Sequence, residues 1–266
     1  MLPILLAAVS GCVQPTSEAT LTVSEGLHTV SDTTWLDLQS PAEDAADPWD
    51  DPDYWAASGP LVELISPDLF PQTPHYRVLM YTSSDGEQWS EGVAVAHSFA
   101  GLDLLVFDDV VILTGQPQSI PTEPGSLYAL TSTDLAVWGS HAWPIVGPEF
   151  TEEVSLSRSA DGTIRALYTT PDQGVSVAER DGAAFIETAS DVLAGTHLDP
   201  TACHFDGQDH LFTTSTSGEV ASATSEDGLS YTAGAFSWDG VQAPDCFVDD
   251  GELWLVAQTC LLYTSP

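Results

Sequence analysis

The sequence contains no lysine, and four arginines are set against 40 acidic side chains. A formal net charge of −36 excludes nucleic acid and anionic membrane surfaces as natural partners, because both would be repelled. The surplus fits solubility, including in salty surroundings where screening relieves self-repulsion. No D-x-[DN]-x-[DN]-G loop is present, so no dedicated calcium loop of that kind is expected. H-E-x-x-H and paired Cys/His spacings are also missing, which argues against zinc. Nucleophilic Ser triads, P-loops and G-x-G-x-x-G are absent. No segment shows a sustained 3.6-residue apolar period, so a helical fold is not expected.

What is present describes a globular body. The chain has 266 residues, 43% of them apolar, with mean hydropathy of +0.03. That suits a folded core rather than disorder or a membrane-embedded chain. Residues 60–259 hold the regularly patterned part. From Cys12 to about Gly59 the chain is rich in Ser, Thr, Asp, Glu and Pro, including A-E-D-A-A-D-P-W-D-D-P-D-Y-W. Repeated acids with Pro48 and Pro52 predict an extended, solvated tether over 12–59. The alternative is that Trp49, Tyr54 and Trp55 dock on the body or on sugar.

Both ends carry a resemblance. The first residues, M-L-P-I-L-L-A-A-V-S-G-C, form an apolar run too short to span a bilayer but suited to a signal peptide over 1–11. Val9-Ser10-Gly11-Cys12 resembles the bacterial lipoprotein signal, in which the Cys is lipidated and becomes the first mature residue. It departs from that pattern in having no Lys or Arg before the run, so the true start codon is open. The resemblance implies an exported, envelope-bound protein that meets membrane only through a lipid on Cys12. At the other end, C-L-L-Y-T-S-P resembles the read-through translation of a transposase adapter used in sequencing libraries. Residues 260–266 are therefore expected to be non-native, the alternative being a genuine last strand.

Of four cysteines, setting aside Cys12 and Cys260 leaves Cys203 and Cys246. An exported protein sits where disulfides form, so this pair is expected to bridge. A native Cys260 would leave an odd thiol and make the pairing ambiguous.

One short unit recurs. S-S-D-G-E-Q-W (Asp85, Trp89), S-T-D-L-A-V-W (Asp134, Trp138), E-R-D-G-A-A-F (Asp181, Phe185) and S-E-D-G-L-S-Y (Asp227, Tyr231) place an aromatic four residues after an Asp. The Asp positions step by 49, 47 and 46 residues. Between them lie short β-branched or aromatic runs at 104–107, 110–114, 127–131, 164–169, 175–178, 210–214 and 220–224, bounded by turn residues. About 45 residues with four short strands is the size of a propeller blade. The unit is then expected to be structural. Asp accepts N–H groups in the turn between a blade's third and fourth strands, Gly takes the left-handed position, and the ring packs between blades. The expected fold is an all-β propeller. Inner strands open near Asp68, Asp103, Glu153, Asp199 and Asp245, giving five blades with the last cut short and Leu61–Ser66 as a closing outer strand. Four blades, or a longer ring, are the alternatives.

With these units and acids opening the inner strands, residues 60–259 resemble the five-bladed propeller glycosidases of the arabinanase and β-xylosidase type. The resemblance implies a first-blade Asp as base, a second-blade Asp that tunes the acid, and a third-blade Glu as acid. By order these fall on Asp68, Asp103 and Glu153, or Glu152. It further implies ligand contacts from Asp199 and Asp245. A central His, either His197 or His204, would help hold an ion such as Ca or Na, or a water cluster; no other cofactor is expected. Counting back from each hairpin Asp puts Asp199, Asp245 and Glu152 on one face and Glu153 on the other. Asp103 joins the first set if Asp108 rather than Asp109 occupies the turn. Two functions follow: a glycosidase-like enzyme on carbohydrate, or a non-catalytic propeller that binds carbohydrate, a small molecule or protein in the envelope.

Overall fold

The computed structural model describes Trp49, Trp55 and residues 77–80, 82, 93–97, 99–117, 125–136, 138–147, 152–172, 174–249 and 251–259. Sixteen strands, and no helix longer than an isolated turn, occur among them. β1 (Arg77–Met80) and β2 (Val93–His97) pair with each other. β3 (Phe99–Phe107), β4 (Val110–Pro117), β5 (Ser126–Ser132) and β6 (Gly139–Val146) form an antiparallel meander. So do β7 (Glu152–Arg158), β8 (Ile164–Thr169), β9 (Val175–Asp181) and β10 (Ala184–Ala189). A third meander comprises β11 (His197–Phe205), β12 (Gln208–Ser215), β13 (Glu219–Ser225) and β14 (Thr232–Asp239). β15 (Val241–Asp249) and β16 (Glu252–Thr259) close the series.

These are the blades of a β-propeller. The first strands β3, β7, β11 and β15 lie side by side, each against the next, and so form the inner wall. Between blades the packing is apolar. One cluster joins Ile112, Leu127 and Trp143 to Leu156, Ile164, Tyr168 and Phe185 across the second and third blades. Another joins Leu167, Val175 and Val177 to Leu211, Ala223 and Tyr231 across the third and fourth. Short β-branched strands suit this arrangement because both faces of a blade are buried; β8 is buried at every position.

The repeated unit builds the turns and inter-blade packing expected of it. At Asp227, Oδ1 accepts the N–H groups of Leu229 (2.9 Å) and Ser230 (3.2 Å), and Ser225 Oγ receives the Gly228 N–H (2.9 Å). At Asp134, Oδ1 accepts from Ala136 (2.8 Å), while Leu135 takes the left-handed position at φ 63° without the help of glycine. Trp138, Phe185 and Tyr231 are buried in three different inter-blade clusters. The unit at Asp85 and the 61–66 segment lie outside the described residues, as do Cys12 and residues 260–266.

Trp49 and Trp55 are in the core. Both join the cluster between the second and third blades, at 4% and 3% exposure. Their rings meet edge to face at 4.9 Å, and Arg180 lies over Trp49 at 4.5 Å. Thr131 donates its hydroxyl to the Trp55 carbonyl (2.9 Å). The docking alternative therefore holds for these two residues. Their contacts with Phe107, Thr131 and Arg180 lie at the end of the blades that carries the β3–β4 hairpin and the Asp134 turn.

Candidate functional site

Each of the four described inner strands has the same irregularity at the same place. Pairing with its neighbour skips one residue between Ala100 and Asp103, Glu152 and Ser155, Leu198 and Thr201, and Gln242 and Asp245. The residue at the bulge adopts a left-handed backbone: Gly101 (φ 62°), Glu153 (50°), Asp199 (48°) and Ala243 (47°). For the three non-glycines this conformation costs on the order of 1–2 kcal/mol each. At the last two bulges the N–H is turned toward the preceding blade. Asp199 donates to Glu153 Oε2 (2.8 Å), and Ala243 donates to Thr214 Oγ1 (2.9 Å).

The bulge corrects the face assignment. An extra residue reverses strand parity, so counting alternate positions back from the hairpin fails upstream of it. Below the bulge, Asp103, Ser155, Thr201 and Asp245 occupy equivalent positions. Asp199, itself the left-handed bulge residue, does not share a face with Asp245 in the way the count implied, and the side chain of Glu152 lies outside the described residues. Asp108 does hold the left-handed turn position (φ 52°), matching Asp206 (φ 50°), so Asp103 and Asp245 belong together.

Those two carboxyls, from the second and fifth blades, lie near enough for the charge of one to act on the other. Asp103 is buried at 7% exposure, and its Oδ2 accepts the Leu156 N–H of the third blade (2.8 Å). Asp245 keeps part of its surface open, and Thr201 of the fourth blade donates to its Oδ1 (3.4 Å). Burial pushes the Asp103 carboxyl up to about 6, against the pull of the Leu156 amide. Burial also raises Asp245, and the negative charge of Asp103 raises it further.

Glu153 is part-buried, and its Oε2 also accepts the Thr169 hydroxyl (3.2 Å). Glu152 opens β7 opposite Thr169. His197 is committed within its own blade: Nδ1 meets Thr213 Oγ1 (2.9 Å) and Nε2 meets the Ala194 carbonyl (3.1 Å). His204 meets Asp209 (2.7 Å), which also binds Arg165 (3.0 Å), so it belongs to an inter-blade ion-pair network rather than to the acid pair. Among the described residues no group of three or more His, Cys, Asp or Glu converges as a metal site. Asp68 lies outside the described residues. Cys203 and Cys246 form a disulfide between adjacent inner strands, with Cα atoms 6.1 Å apart. Thr201 and the Leu156 amide are the participants that reading the sequence missed. Thr201 was findable, since it stands five residues before Asp206, as Asp103 does before Asp108 and Asp245 before Asp250.

Fold and strand pairing define a β-propeller with Asp103 and Asp245 at equivalent positions on two of its inner strands. The solved structures it resembles place it beside the five-bladed propellers of the GH43 glycoside hydrolases. An exo-β-1,3-galactanase from Phanerochaete chrysosporium superposes with a TM-score of 0.51 at 16% identity, covering 60% of this chain and 43% of that one. A Bacteroides ovatus GH43B protein of a xyloglucan utilisation locus gives 0.53 at 12%, covering 67% and 42%. An α-L-arabinofuranosidase from Clostridium thermocellum gives 0.50 at 12%, covering 62% and 65%. The chain thus spans less than half the length of the first two. At these identities the likeness is one of fold. No family model matches the sequence, and no curated protein does either.

Proposed function

We propose that this chain is an exported, lipid-anchored propeller that hydrolyses glycosidic bonds with carboxylates gathered in a central acidic funnel. The observation that carries the reading is the delivery of Asp103, Glu153 and Asp245 by three inner strands, two of them paired and Glu153 on a strained left-handed bulge. Strain of this kind clusters at functional positions. Glycoside hydrolysis needs one protonated carboxyl to assist the leaving oxygen and one carboxylate to activate water or attack, with their separation setting the stereochemistry.

Asp103 and Asp245 act on each other's ionisation, so the pair counts as one group in that scheme. The complementary carboxylate must come from another strand. Glu153 as the acid, with Asp68 of the first inner strand as the base and Asp103 tuning the acid, is the assignment the glycosidase resemblance supports. His197 and His204 are both held by hydrogen bonds, to Thr213 and Ala194 and to Asp209 respectively. The test is hydrolysis of a panel of plant and microbial glycans by the full-length gene product, with Glu153→Gln and Asp68→Asn beside it. Release of sugar that is lost in both variants supports the reading; equal release from all three removes the site assignment.

A non-catalytic binding propeller is the second reading, favoured by one observation: the hydrogen bonds around Asp103 and Glu153 are those of well-satisfied structural acids. Retention on a glycan array without turnover would support it. Anchoring through Cys12 is tested by fractionation, where Cys12→Ser should release the protein from membranes.

A further inference from the structure

Trp49 and Trp55 meet the second and third blades at a particular end. Trp49 lies 5.4 Å from Phe107, the last residue of β3, and Arg180, next to last in β9, stands over its ring at 4.5 Å. The Trp55 carbonyl accepts the hydroxyl of Thr131, next to last in β5 (2.9 Å). First and third strands of an antiparallel meander run the same way, so Phe107, Thr131 and Arg180 all mark the end that carries the hairpins after the first and third strands. The bulges at Gly101 and Glu153 lie near the start of β3 and β7, at the opposite end. From Gly101 to Asp108 the strand covers about 23 Å at ~3.3 Å per residue.

Whatever precedes Trp49 is joined to it covalently and therefore enters the propeller at the hairpin end. We propose that this end is the side held toward an anchor at the N-terminus, and that the bulge end, with Glu153 and Asp199, is the side displayed to a polymeric ligand arriving from solution. The nature of the ligand rests on the glycosidase reading; the placement does not. Burial of both indoles in the cluster with Trp143 and Phe185 keeps the join in place. A net charge of −36 is repelled by an anionic surface. The repulsion pushes the body outward against its attachment, which leaves the attached end nearest the surface. It reaches about 8 Å at physiological ionic strength, much less than the length of the strands. A glycan linked to the same surface would meet the hairpin end first, whereas a polymer in solution meets the bulges.

Electron–electron double resonance on the full chain tests the join. One genetically encoded spin label replaces Asp47, at most about 7 Å along the chain from Trp49. The second replaces either Asp109 in the β3–β4 hairpin or Pro171 between β8 and β9, both exposed. The distance from 47 to 109 is expected to be shorter than that from 47 to 171 by about 10–20 Å, on the scale of one strand. Equal distances, or a shorter one to 171, would overturn the proposal. In Trp49→Ala/Trp55→Ala the short distance should disperse, and its persistence would equally count against the join described; the chain with both tryptophans decides even if that variant fails to fold.

Vesicles test the display. The chain, carrying Cys260→Ser and an intact Cys203–Cys246 bridge, is coupled through Cys12 to a maleimide lipid in vesicles of mixed zwitterionic and anionic lipid, so natural lipidation is not what is measured. Biotin introduced at Asp109 or at Pro171 is then captured by streptavidin. Capture at Pro171 is expected to proceed as it does after release into detergent, while capture at Asp109 is slowed or lost. Equal slowing at the two positions, or slowing at Pro171 alone, would overturn the proposal. Neither arm reads hydrolysis, so failure here and failure of the glycosidase reading are separable.

Discussion

Trp49 and Trp55 sit in a stretch whose composition describes a solvated tether, yet their side chains are almost wholly buried. Trp49 packs against Trp55, Trp143 and Phe107 at ring distances of 4.9, 5.1 and 5.4 Å, with Arg180 over its face. Truncating a buried Trp to Ala removes its transfer free energy and leaves a cavity, together about 3–5 kcal/mol. Loss of the partner of Arg180 adds about 1–2 kcal/mol, since that cation is partly desolvated. For a body of this size 1 kcal/mol moves Tm by about 2–4 °C, so the two terms together should lower the Tm of Trp49→Ala by roughly 8–28 °C. Trp55→Ala should fall in the same range, and the double variant should cost less than the sum because the rings touch. The assay is guanidinium and thermal unfolding followed by far-ultraviolet circular dichroism. If both single variants unfold within about 0.5 kcal/mol of wild type, the change expected at an exposed site, the docked segment is refuted and the tether reading stands.

Two other perturbations follow from the inter-blade contacts. The Cys203–Cys246 bridge spans a sequence separation of 43, and closing a loop of that length stabilises by about 4 kcal/mol on the chain-entropy model. Cys203→Ser/Cys246→Ser should show that loss by denaturant titration, and the variant should no longer respond to reductant. Gly228 has φ +68°, and a Cβ there would run into Arg165 Nη1 and Asp209 Oδ2. Gly228→Ala should therefore disrupt a buried ion pair at about 3 kcal/mol or more. Gly182→Ala, with the same backbone sign and open space around it, should cost about 1–2 kcal/mol. Equal costs at both glycines would show that the ion pair plays no part.

The propeller was legible because blades repeat. Four Asp-plus-aromatic units at near-equal steps place the third-to-fourth-strand turns, and runs such as 164–169 coincide with a whole strand. The disulfide was legible for the same reason, since its cysteines precede equivalent hairpins. What was not legible is the bulge. Its left-handed residue is a glycine only at Gly101; Glu153, Asp199 and Ala243 carry no turn signature, because neighbouring blades rather than local propensity hold them there. One unseen residue was enough to upset the parity of Asp199. The influence of Asp103 on Asp245 was likewise out of reach, since it depends on how strands far apart in sequence are brought together. Trp49 and Trp55 were obscured by the acids and prolines around them, which describe their own solvation and not that of the two indoles.

The account turns on whether Glu153, on its strained bulge, acts in glycoside cleavage. The measurement is reducing-sugar release from the glycan panel by wild type and by Glu153→Gln, on protein shown to be folded by circular dichroism. Glutamine keeps the shape and can still accept from Asp199 and Thr169 through its carbonyl, but it cannot carry the proton. The account predicts turnover of at least one glycan by wild type and a loss of about 100-fold or more in Glu153→Gln, the scale of general acid–base assistance. Turnover unchanged in the variant, or none by wild type on any glycan it binds, would contradict it.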